Sequence, residues 1–201
     1  LNEVCHQLRV WQDKGLSPVP VSVNVSARQF QQADFHKRVA EVLRRHDVDP
    51  SLLEIELTEG LVMDDTEAAQ RELAELKKIG VRISIDDFGT GYSCLSYLRR
   101  FPLDVLKIDR SFVQEIGSSR DGESIIDAII SLARSLRLET VAEGVETTAQ
   151  LHFLLDRGCH VVQGFLFGKP MDMNLVEPLL NALEGGDTDS TAVKRVLKGV
   201  G

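Results

Sequence analysis

The sequence predicts an α/β fold, a (β/α)8 barrel of which about six of the eight β/α units are present. Strand and helix patterns alternate along the 201 residues, and such alternation forms parallel sheets with right-handed crossovers. Four of the predicted strands are apolar at one parity and polar or small at the other. An open sheet covered by helices on both faces would be apolar at both parities. The pattern is compatible with a barrel whose outer face contacts helices and whose mouth holds functional side chains.

The first half of the chain alternates between helical and strand periodicity. Apolar residues recur every three to four positions in the helical stretches, and Gly15 and Gly80 are placed to end two of the helices. Strict apolar-polar alternation marks the strands. The predicted elements are helix Leu1–Lys14, strand Val19–Ser26, helix Phe35–His46, strand Leu53–Thr58, helix Asp65–Ile79 and strand Val81–Asp86.

The second half of the chain repeats this order. Pro102 ends a short helix because it cannot continue the helical hydrogen bonds, and Gly158 caps a later one. The predicted elements are helix Leu95–Phe101, strand Val105–Ile108, helix Ser124–Leu136, strand Thr140–Ala142, helix Thr147–Arg157, strand His160–Phe165 and helix Asn174–Leu183. We expect residues 1–183 to form the barrel domain and 184–201 a polar linker or tail. The chain has no initiator methionine, and we expect it to lack roughly the first two barrel strands.

Composition excludes several classes of function. The net charge of −8 argues against a partner that is polymeric nucleic acid, since such binding depends on excess Lys and Arg. Three cysteines without CxxC spacing predict reduced thiols in a cytoplasmic setting. No apolar run approaches the roughly 20 residues of a membrane span, although a parent protein with its own anchor is compatible with this.

Polar residues stand at the C-terminal end of every predicted strand. Taken singly, each has a structural explanation, such as a helix cap or a solvated turn. In a parallel barrel, however, all of these ends converge on one mouth, which predicts a common site. The residues are Asn24, Glu56, Glu59, Asp86, Asp87, Lys107, Asp109, Glu143, Glu146 and Gln163.

These side chains predict a metal site with oxygen ligands. Asp86 and Asp87 would repel each other without a cation nearby, and the five histidines lack zinc-site spacing. Hard oxygen donors favour Mg²⁺ or Mn²⁺, and Glu56 and Glu143 make two ions feasible. Two such ions suit phosphoester hydrolysis. An enolase-type proton abstraction also uses a barrel, acidic ligands and a lysine, so the residues leave the reaction class open.

Six ordered motifs resemble those of the EAL domain, the bacterial cyclic-di-GMP phosphodiesterase family. The resemblance runs from about Leu1 to Pro170 and implies a modified TIM barrel with metal-dependent hydrolysis of cyclic-di-GMP to linear pGpG. The motifs are Asn24-Val-Ser26, Glu56-Leu-Thr-Glu59, Asp86-Asp-Phe-Gly-Thr-Gly-Tyr92, Leu106-Lys-Ile-Asp109, Ala142-Glu-Gly-Val-Glu146 and Gln163-Gly164.

The resemblance also implies roles for individual residues. Asn24, Glu56 and Asp86 are similar to the ligands of one metal ion, with Asp86 bridging to a second ion held by Asp87 and Glu143. Lys107 resembles the lysine that contacts the nucleophilic water, and Glu143 is the candidate general base. Glu59 is similar to the glutamate that anchors the loop from Phe88 to Ser93, while Glu146 and Gln163 resemble residues that support the water and the substrate.

The sequence departs from the family in one respect. The Glu-Ala-Leu strand that names the family, with a further ligand glutamate and an arginine, would lie before Leu1. We therefore expect the chain alone to be an open barrel with weak metal binding and little turnover. Two interpretations of the parent protein stay open, a phosphodiesterase and a non-catalytic cyclic-di-GMP receptor. The family also implies flanking sensory or GGDEF-type domains and suggests a homodimer.

Overall fold

A computed structural model of the chain describes residues 1–17, 19–64, 66–89 and 98–184. In this part of the chain six strands form one parallel sheet, ordered as in the sequence. The sheet curls into half of a barrel, which confirms the predicted fold class. The strands are β1 Val21–Asn24, β2 Leu53–Thr58, β3 Arg82–Phe88, β4 Val105–Ile108, β5 Glu139–Ala142 and β6 Val161–Val162.

Helices connect successive strands. A 3₁₀ turn at Pro50–Leu52 precedes β2. Among the described residues no helix combines the length and apolar character needed to cross a membrane. The helices are α1 Asn2–Asp13, α2 Ala27–Phe30, α3 Phe35–His46, α4 Glu59–Asp64, α5 Thr66–Ile79, α6 Arg110–Gln114, α7 Arg120–Leu136, α8 Thr148–Asp156 and α9 Met173–Glu184.

The short helices α2, α4 and α6 were not predicted from the sequence. Each is six residues or fewer, which is too short to show helical periodicity. α7 begins four residues before the predicted Ser124, because the Ser119 side chain caps it by accepting from Gly122 N–H at 3.2 Å. Residues 95–97 of the predicted helix Leu95–Phe101 lie outside the described residues, as do the turn after Gly89 and the tail from 185.

The hydrophobic core lies between the outer face of the sheet and the helices. Alternate strand residues point toward it and are fully buried, as the period of two requires. They pack against the apolar stripes of α5, α7 and α8. The largest of these buried side chains are Leu53, Ile55, Leu57, Leu73, Leu76, Ile83, Ile85, Leu106, Ile108, Ile126 and Leu154.

The inner face of the half-barrel carries the opposite, polar parity. At the N-terminal end of the strands, Glu54 is fully buried and accepts from Ser22 Oγ at 2.8 Å and from Arg82 Nε at 3.2 Å. Arg82 also pairs with Glu139, so one guanidinium joins β2, β3 and β5. A buried carboxylate is stable when its partners satisfy it in this way. A second set of polar side chains lies at the C-terminal end of the strands.

Candidate metal centre

Four strands bring charged side chains together at the C-terminal end of the half-barrel. Glu56 lies on β2, Asp86 on β3 and Lys107 on β4, and Glu143 follows β5 directly. Glu56, Asp86 and Glu143 each offer one oxygen, and these three atoms lie within 4.8 Å of one another. The residues come from sequence positions up to 87 apart, so only the parallel arrangement of the strands joins them. We call the three carboxylates together with Lys107 the carboxylate cluster.

A β-bulge in β3 brings two carboxylates to the same level of the sheet. Ile85 is in register with Leu106 and Phe88 with Ile108, so both Asp86 and Asp87 lie opposite Lys107. The extra residue is accommodated at Asp87, whose φ of 55° is in the left-handed region that Asp tolerates better than most residues. Asp87 N–H donates to Asp86 Oδ1 at 2.9 Å, which fixes the orientation of the Asp86 carboxylate.

Lys107 neutralises part of the charge of the cluster. Its side chain is 4% exposed and forms ion pairs with Glu56 and Glu143. Asp86 Oδ1 lies 3.7 Å from its Nζ. With all three carboxylates ionised, the single ammonium leaves a net charge of −2 in a largely buried volume. A buried excess of negative charge favours either a proton or a cation.

The pKa values of the cluster reflect this excess. Burial raises the pKa of Glu56 to about 7, even though Lys107 opposes the shift. Burial likewise raises the pKa of Glu143 against the attraction of Lys107. For Lys107, burial alone would lower the pKa, but the carboxylates of Glu143, Glu56 and Asp86 raise it. Lys107 therefore stays charged at neutral pH, while Glu56 is partly protonated near pH 7.

Asp87 and Asn24 lie at the rim of the cluster. Asp87 is exposed, and partial burial together with the neighbouring Asp86 carboxylate raises its pKa. Asn24 is exposed at the end of β1, in register with Glu56. Both side chains are thus adjacent to cluster residues while remaining accessible to an incoming ligand.

Glu59 begins α4 and contacts the turn that follows the bulge. Its side chain is buried, and Oε2 accepts from Gly89 N–H at 3.2 Å. A side chain at Gly89 would meet the Phe112 ring at 3.2 Å, and its φ of 94° favours glycine. This contact joins Glu59 to Gly89, while residues 90–93 of the loop that it is expected to anchor lie outside the described part of the chain.

The turn after β5 carries Glu143 and is held by β4 and β6. Glu143 N–H donates to Ile108 O at 3.1 Å, and Val145 N–H donates to Gln163 O at 3.0 Å. Gly164 packs so closely here that a Cβ would lie 2.1 Å from Val145 O. Gln163 is half-buried beside this turn, and its backbone, rather than its side chain alone, supports the segment.

Glu146 pairs with Arg110, which is not a member of the carboxylate cluster. Glu146 is exposed, and its Oε1 accepts from Arg110 Nη2 at 2.9 Å. The Arg110 stem covers Gly144, where a Cβ would lie 2.3 Å from Arg110 Cγ. Asp109 likewise points to a local partner, capping α6 by accepting from Ser111 N–H at 2.9 Å. Arg110 and the buried Gln150 were missed from the sequence, although Thr147 and Gln150 have the spacing of a capping box.

The cluster suits a hard divalent cation. Two oxygens on one Mg²⁺ lie at most about 4.2 Å apart, since each is about 2.1 Å from the ion. The spread of 4.8 Å among the three carboxylate oxygens is only slightly wider, so small side-chain rotations suffice. All three donors are oxygens, as Mg²⁺ and Mn²⁺ prefer. The fold and site together define a parallel α/β barrel domain with a candidate divalent-cation site at its mouth.

The family follows from comparison with known proteins. The family model of the EAL domain matches residues 1–170, and the chain belongs to the EAL domain family. It is 48% identical over 171 residues to the bifunctional diguanylate cyclase/cyclic di-GMP phosphodiesterase MucR of Pseudomonas aeruginosa. That match covers 85% of this chain but 25% of MucR, so the chain spans about a quarter of the length of this relative.

Solved structures agree with this assignment. The structure of the MucR phosphodiesterase in complex with c-di-GMP has a TM-score of 0.84 and 47% identity, covering 87% of this chain and 71% of that one. A manganese and cy-diGMP complex of BlrP1 from Klebsiella pneumoniae has a TM-score of 0.73 and 29% identity, covering 83% and 42% of the two chains. The six-stranded half-barrel thus matches part of the fold of these two structures.

Proposed function

We propose that this domain is a metal-dependent phosphodiesterase that hydrolyses cyclic-di-GMP to pGpG. One observation carries the proposal: three carboxylates from three strand ends surround the buried ammonium of Lys107. The names of its relatives support the substrate, since MucR is called a cyclic di-GMP phosphodiesterase and its solved structure holds c-di-GMP. The manganese complex of BlrP1 supports the kind of cofactor.

The proposed ligand set is the one that the resemblance to the family implies, and the proximity of Glu56, Asp86 and Glu143 supports it. Glu56, Asp86 and Asn24 would hold one Mg²⁺ or Mn²⁺, and Asp86, Asp87 and Glu143 would hold a second. When bound, such ions activate water and stabilise the attacking and leaving oxygens of a phosphodiester. The bulge in β3 supports a shared role for Asp86, because it brings Asp86 and Asp87 to the same level of the sheet.

Lys107 and Glu143 have complementary roles in this proposal. Lys107 keeps its charge and provides a fixed positive group beside the phosphodiester. Glu143 has a raised pKa, so its carboxylate is a better proton acceptor at neutral pH than an exposed glutamate. It takes the proton of the attacking water at its carboxylate oxygen. Glu59 holds Gly89, and Glu146 and Gln163 support the mouth.

The proposal is tested by chromatographic assay of pGpG formed from cyclic-di-GMP with Mn²⁺, Mg²⁺ or EDTA. We expect the full-length parent protein to hydrolyse cyclic-di-GMP with either metal and not with EDTA. Glu143→Gln should reduce the rate by at least about 100-fold, since a general base contributes about 10² to 10⁴-fold. Asp127→Asn is the matched control, because Asp127 pairs with Arg157 on an exposed surface. Hydrolysis by Glu143→Gln at the wild-type rate would contradict the proposal.

A receptor role is the second outcome of the same assay. If the protein binds cyclic-di-GMP in calorimetric titrations but forms no pGpG with either metal, the domain is a sensor rather than an enzyme. The described positions favour the enzyme, because Glu56, Asp86, Lys107 and Glu143 are in mutual contact or close proximity. A receptor domain with a degenerate catalytic site would lack one of these four residues.

The parent protein is proposed to be a signalling protein that joins this domain to others. MucR is named as bifunctional, with a diguanylate cyclase activity beside the phosphodiesterase, which supports a GGDEF-type neighbour in the parent of this chain. A homodimer is proposed as its assembly. Light scattering over a tenfold concentration range measures the mass, and a constant monomer mass would reject the dimer.

A further inference from the structure

Gln150 is a buried amide outside the carboxylate cluster. It lies in the first turn of α8, and both ends of the amide have partners. Oε1 accepts from the backbone N–H of Glu146 at 2.8 Å and of Thr147 at 3.0 Å. Nε2 donates to Val113 O at 3.2 Å. Glutamine is mostly exposed in proteins, so a buried and satisfied amide at this place calls for a role.

The three hydrogen bonds of Gln150 join two segments that leave neighbouring strands. Val113 lies in α6, which follows β4 and its Lys107. Glu146 lies in the turn after β5, the turn that begins with Glu143. The amide therefore links the continuation of the lysine strand to the turn that carries a carboxylate of the cluster.

Two further contacts join the same two segments, a backbone hydrogen bond and a surface ion pair. Glu143 N–H donates to Ile108 O, and Arg110 pairs with Glu146 on the surface. Exposed ion pairs contribute little because solvent screens them. The bond from Gln150 to Val113 is buried and its other two bonds are partly buried, and a buried amide that loses a partner pays the full cost of desolvation. Gln150 therefore restrains this turn more strongly than the surface pair of Arg110 and Glu146 does.

We propose that Gln150 is a positioning residue for the metal site: through the turn after β5 it holds the Glu143 carboxylate against Lys107. The proposal rests on the proposed function, because it assigns Glu143 to that site. A helix cap would need only the acceptor Oε1, which completes the capping box with Thr147. The bond from Nε2 to Val113 has no part in capping and ties α8 to α6.

The variant Gln150→Glu separates the two roles. It keeps an acceptor oxygen for the N–H groups of Glu146 and Thr147 and replaces the donor to Val113. We expect Mn²⁺ affinity, measured by titration without nucleotide, to fall by about tenfold, as for other partners that orient metal ligands. We expect kcat for cyclic-di-GMP to fall by a similar factor and KM to change less. Gln150→Met, which has the same length but no amide, should lose affinity and melting temperature together.

Thr147→Ala is the matched control. It removes the acceptor of Gln150 N–H, at 3.2 Å, but leaves the side-chain amide and its bonds in place. We expect a lower melting temperature with unchanged Mn²⁺ affinity. Wild-type Mn²⁺ affinity in both Gln150 variants would overturn the proposal, and so would an equal loss of affinity in Thr147→Ala.

The titration also distinguishes this proposal from the proposed function. If the wild type binds Mn²⁺ but does not hydrolyse cyclic-di-GMP, the proposed function fails, while weaker Mn²⁺ binding by Gln150→Glu still supports the positioning role. If the wild type hydrolyses cyclic-di-GMP and Gln150→Glu matches it in rate and affinity, only the positioning role fails. A wild-type protein that binds no Mn²⁺ would overturn both.

Discussion

Lys107 lies opposite the bulge of β3, with its Nζ 3.7 Å from Oδ1 of Asp86. The relationship couples the shape of the sheet to the charge of the site. Without the bulge, Asp86 and Asp87 would point to opposite faces, because successive residues of a strand alternate. The lysine therefore faces a pair of adjacent carboxylates as well as Glu56 and Glu143.

Replacing Lys107 by Met should destabilise the metal-free protein. The change leaves three carboxylates without their ammonium partner in a site where the lysine is 4% exposed. Removing one member of a buried ion pair costs about 3 to 5 kcal/mol. Urea unfolding at pH 8 in EDTA measures the loss. Added Mn²⁺ should raise the melting temperature of Lys107→Met more than that of the wild type, because the ion then supplies the missing positive charge.

Lys78→Met is the control for this experiment. Lys78 pairs with Glu75, but its side chain is 71% exposed. Such surface pairs are worth less than about 1 kcal/mol, so this variant should unfold like the wild type. Equal stability of Lys107→Met and Lys78→Met in EDTA would show that the buried ion pairs contribute nothing to the free energy of unfolding.

Asp87→Asn tests the proposed second ion. Asn tolerates the left-handed conformation of Asp87 nearly as well as Asp does, so the bulge should persist. We expect the Mn²⁺ stoichiometry to fall from about two ions to about one, since two-metal sites depend on each set of ligands. Electron paramagnetic resonance of free Mn²⁺ counts the bound ions. An unchanged stoichiometry of two would remove Asp87 from the ligand set.

Gly164→Ala should disrupt the turn that carries Glu143. The new Cβ would lie 2.1 Å from Val145 O and 2.3 Å from Val145 N, and backbone atoms cannot move aside as a flexible side chain can. Overpacking typically costs about 1 to 3 kcal/mol, and we expect the upper end with a loss of Mn²⁺ affinity. Differential scanning calorimetry and Mn²⁺ titration check both effects.

Gly60→Ala is the opposite case on the same half-barrel. Gly60 lies within α4, and a Cβ there would meet nothing within 4 Å. Alanine is a better helix former than glycine by up to about 1 kcal/mol, so this variant should be slightly more stable. A Gly164→Ala protein as stable as Gly60→Ala would mean that the turn relaxes freely.

The unfolding free energy of the metal-free protein should depend on pH through Glu56. Its ordinary pKa is 4.5, and burial raises it to about 7 in the folded state. Between these values the folded protein binds a proton that the unfolded chain does not. The contribution to stability is therefore largest below pH 4.5 and is lost as pH rises through about 7. Relative to Glu56→Gln, the wild type should lose on the order of 1 to 3 kcal/mol from pH 5 to pH 8.

Urea unfolding of both proteins in EDTA at four pH values checks this dependence. The comparison with Glu56→Gln isolates one carboxyl from all others. A wild type that gains stability over the variant as pH rises would show that pairing with Lys107 outweighs burial. Saturating Mn²⁺ should reverse the predicted trend, because a bound cation needs Glu56 ionised.

The sequence predicts the architecture well because strand alternation is a local signal. All six predicted strands are present, four of them marked by period-two patterns, and the polar parity of Glu56 and Lys107 indicated the inner face of a barrel. Strand limits were less accurate: β1 is Val21–Asn24 rather than Val19–Ser26, and β6 is only Val161–Val162. Strand ends depend on the partner strand, which a local pattern does not contain.

The site was predicted in its residues but not in its geometry. The motifs identified the cluster residues, yet alternation places Asp86 and Asp87 on opposite faces, and only the register with β4 reveals the bulge. Glu146 was expected beside the site, but its partner is Arg110, which depends on how α6 packs on the turn after β5. Gln150 was missed because its partners lie 4 and 37 residues away and meet only in the folded chain.

The ion network of Arg82 with Glu54 and Glu139 lies at the far end of the strands from Lys107. Because this network is separate from the carboxylate cluster, β2, β3 and β5 remain joined when a carboxylate at the mouth is lost. A mouth carboxylate can therefore be replaced while Lys107 retains a partner, without loss of the ability to fold. The part of the sheet that secures the fold is thus distinct from the part that carries the proposed chemistry.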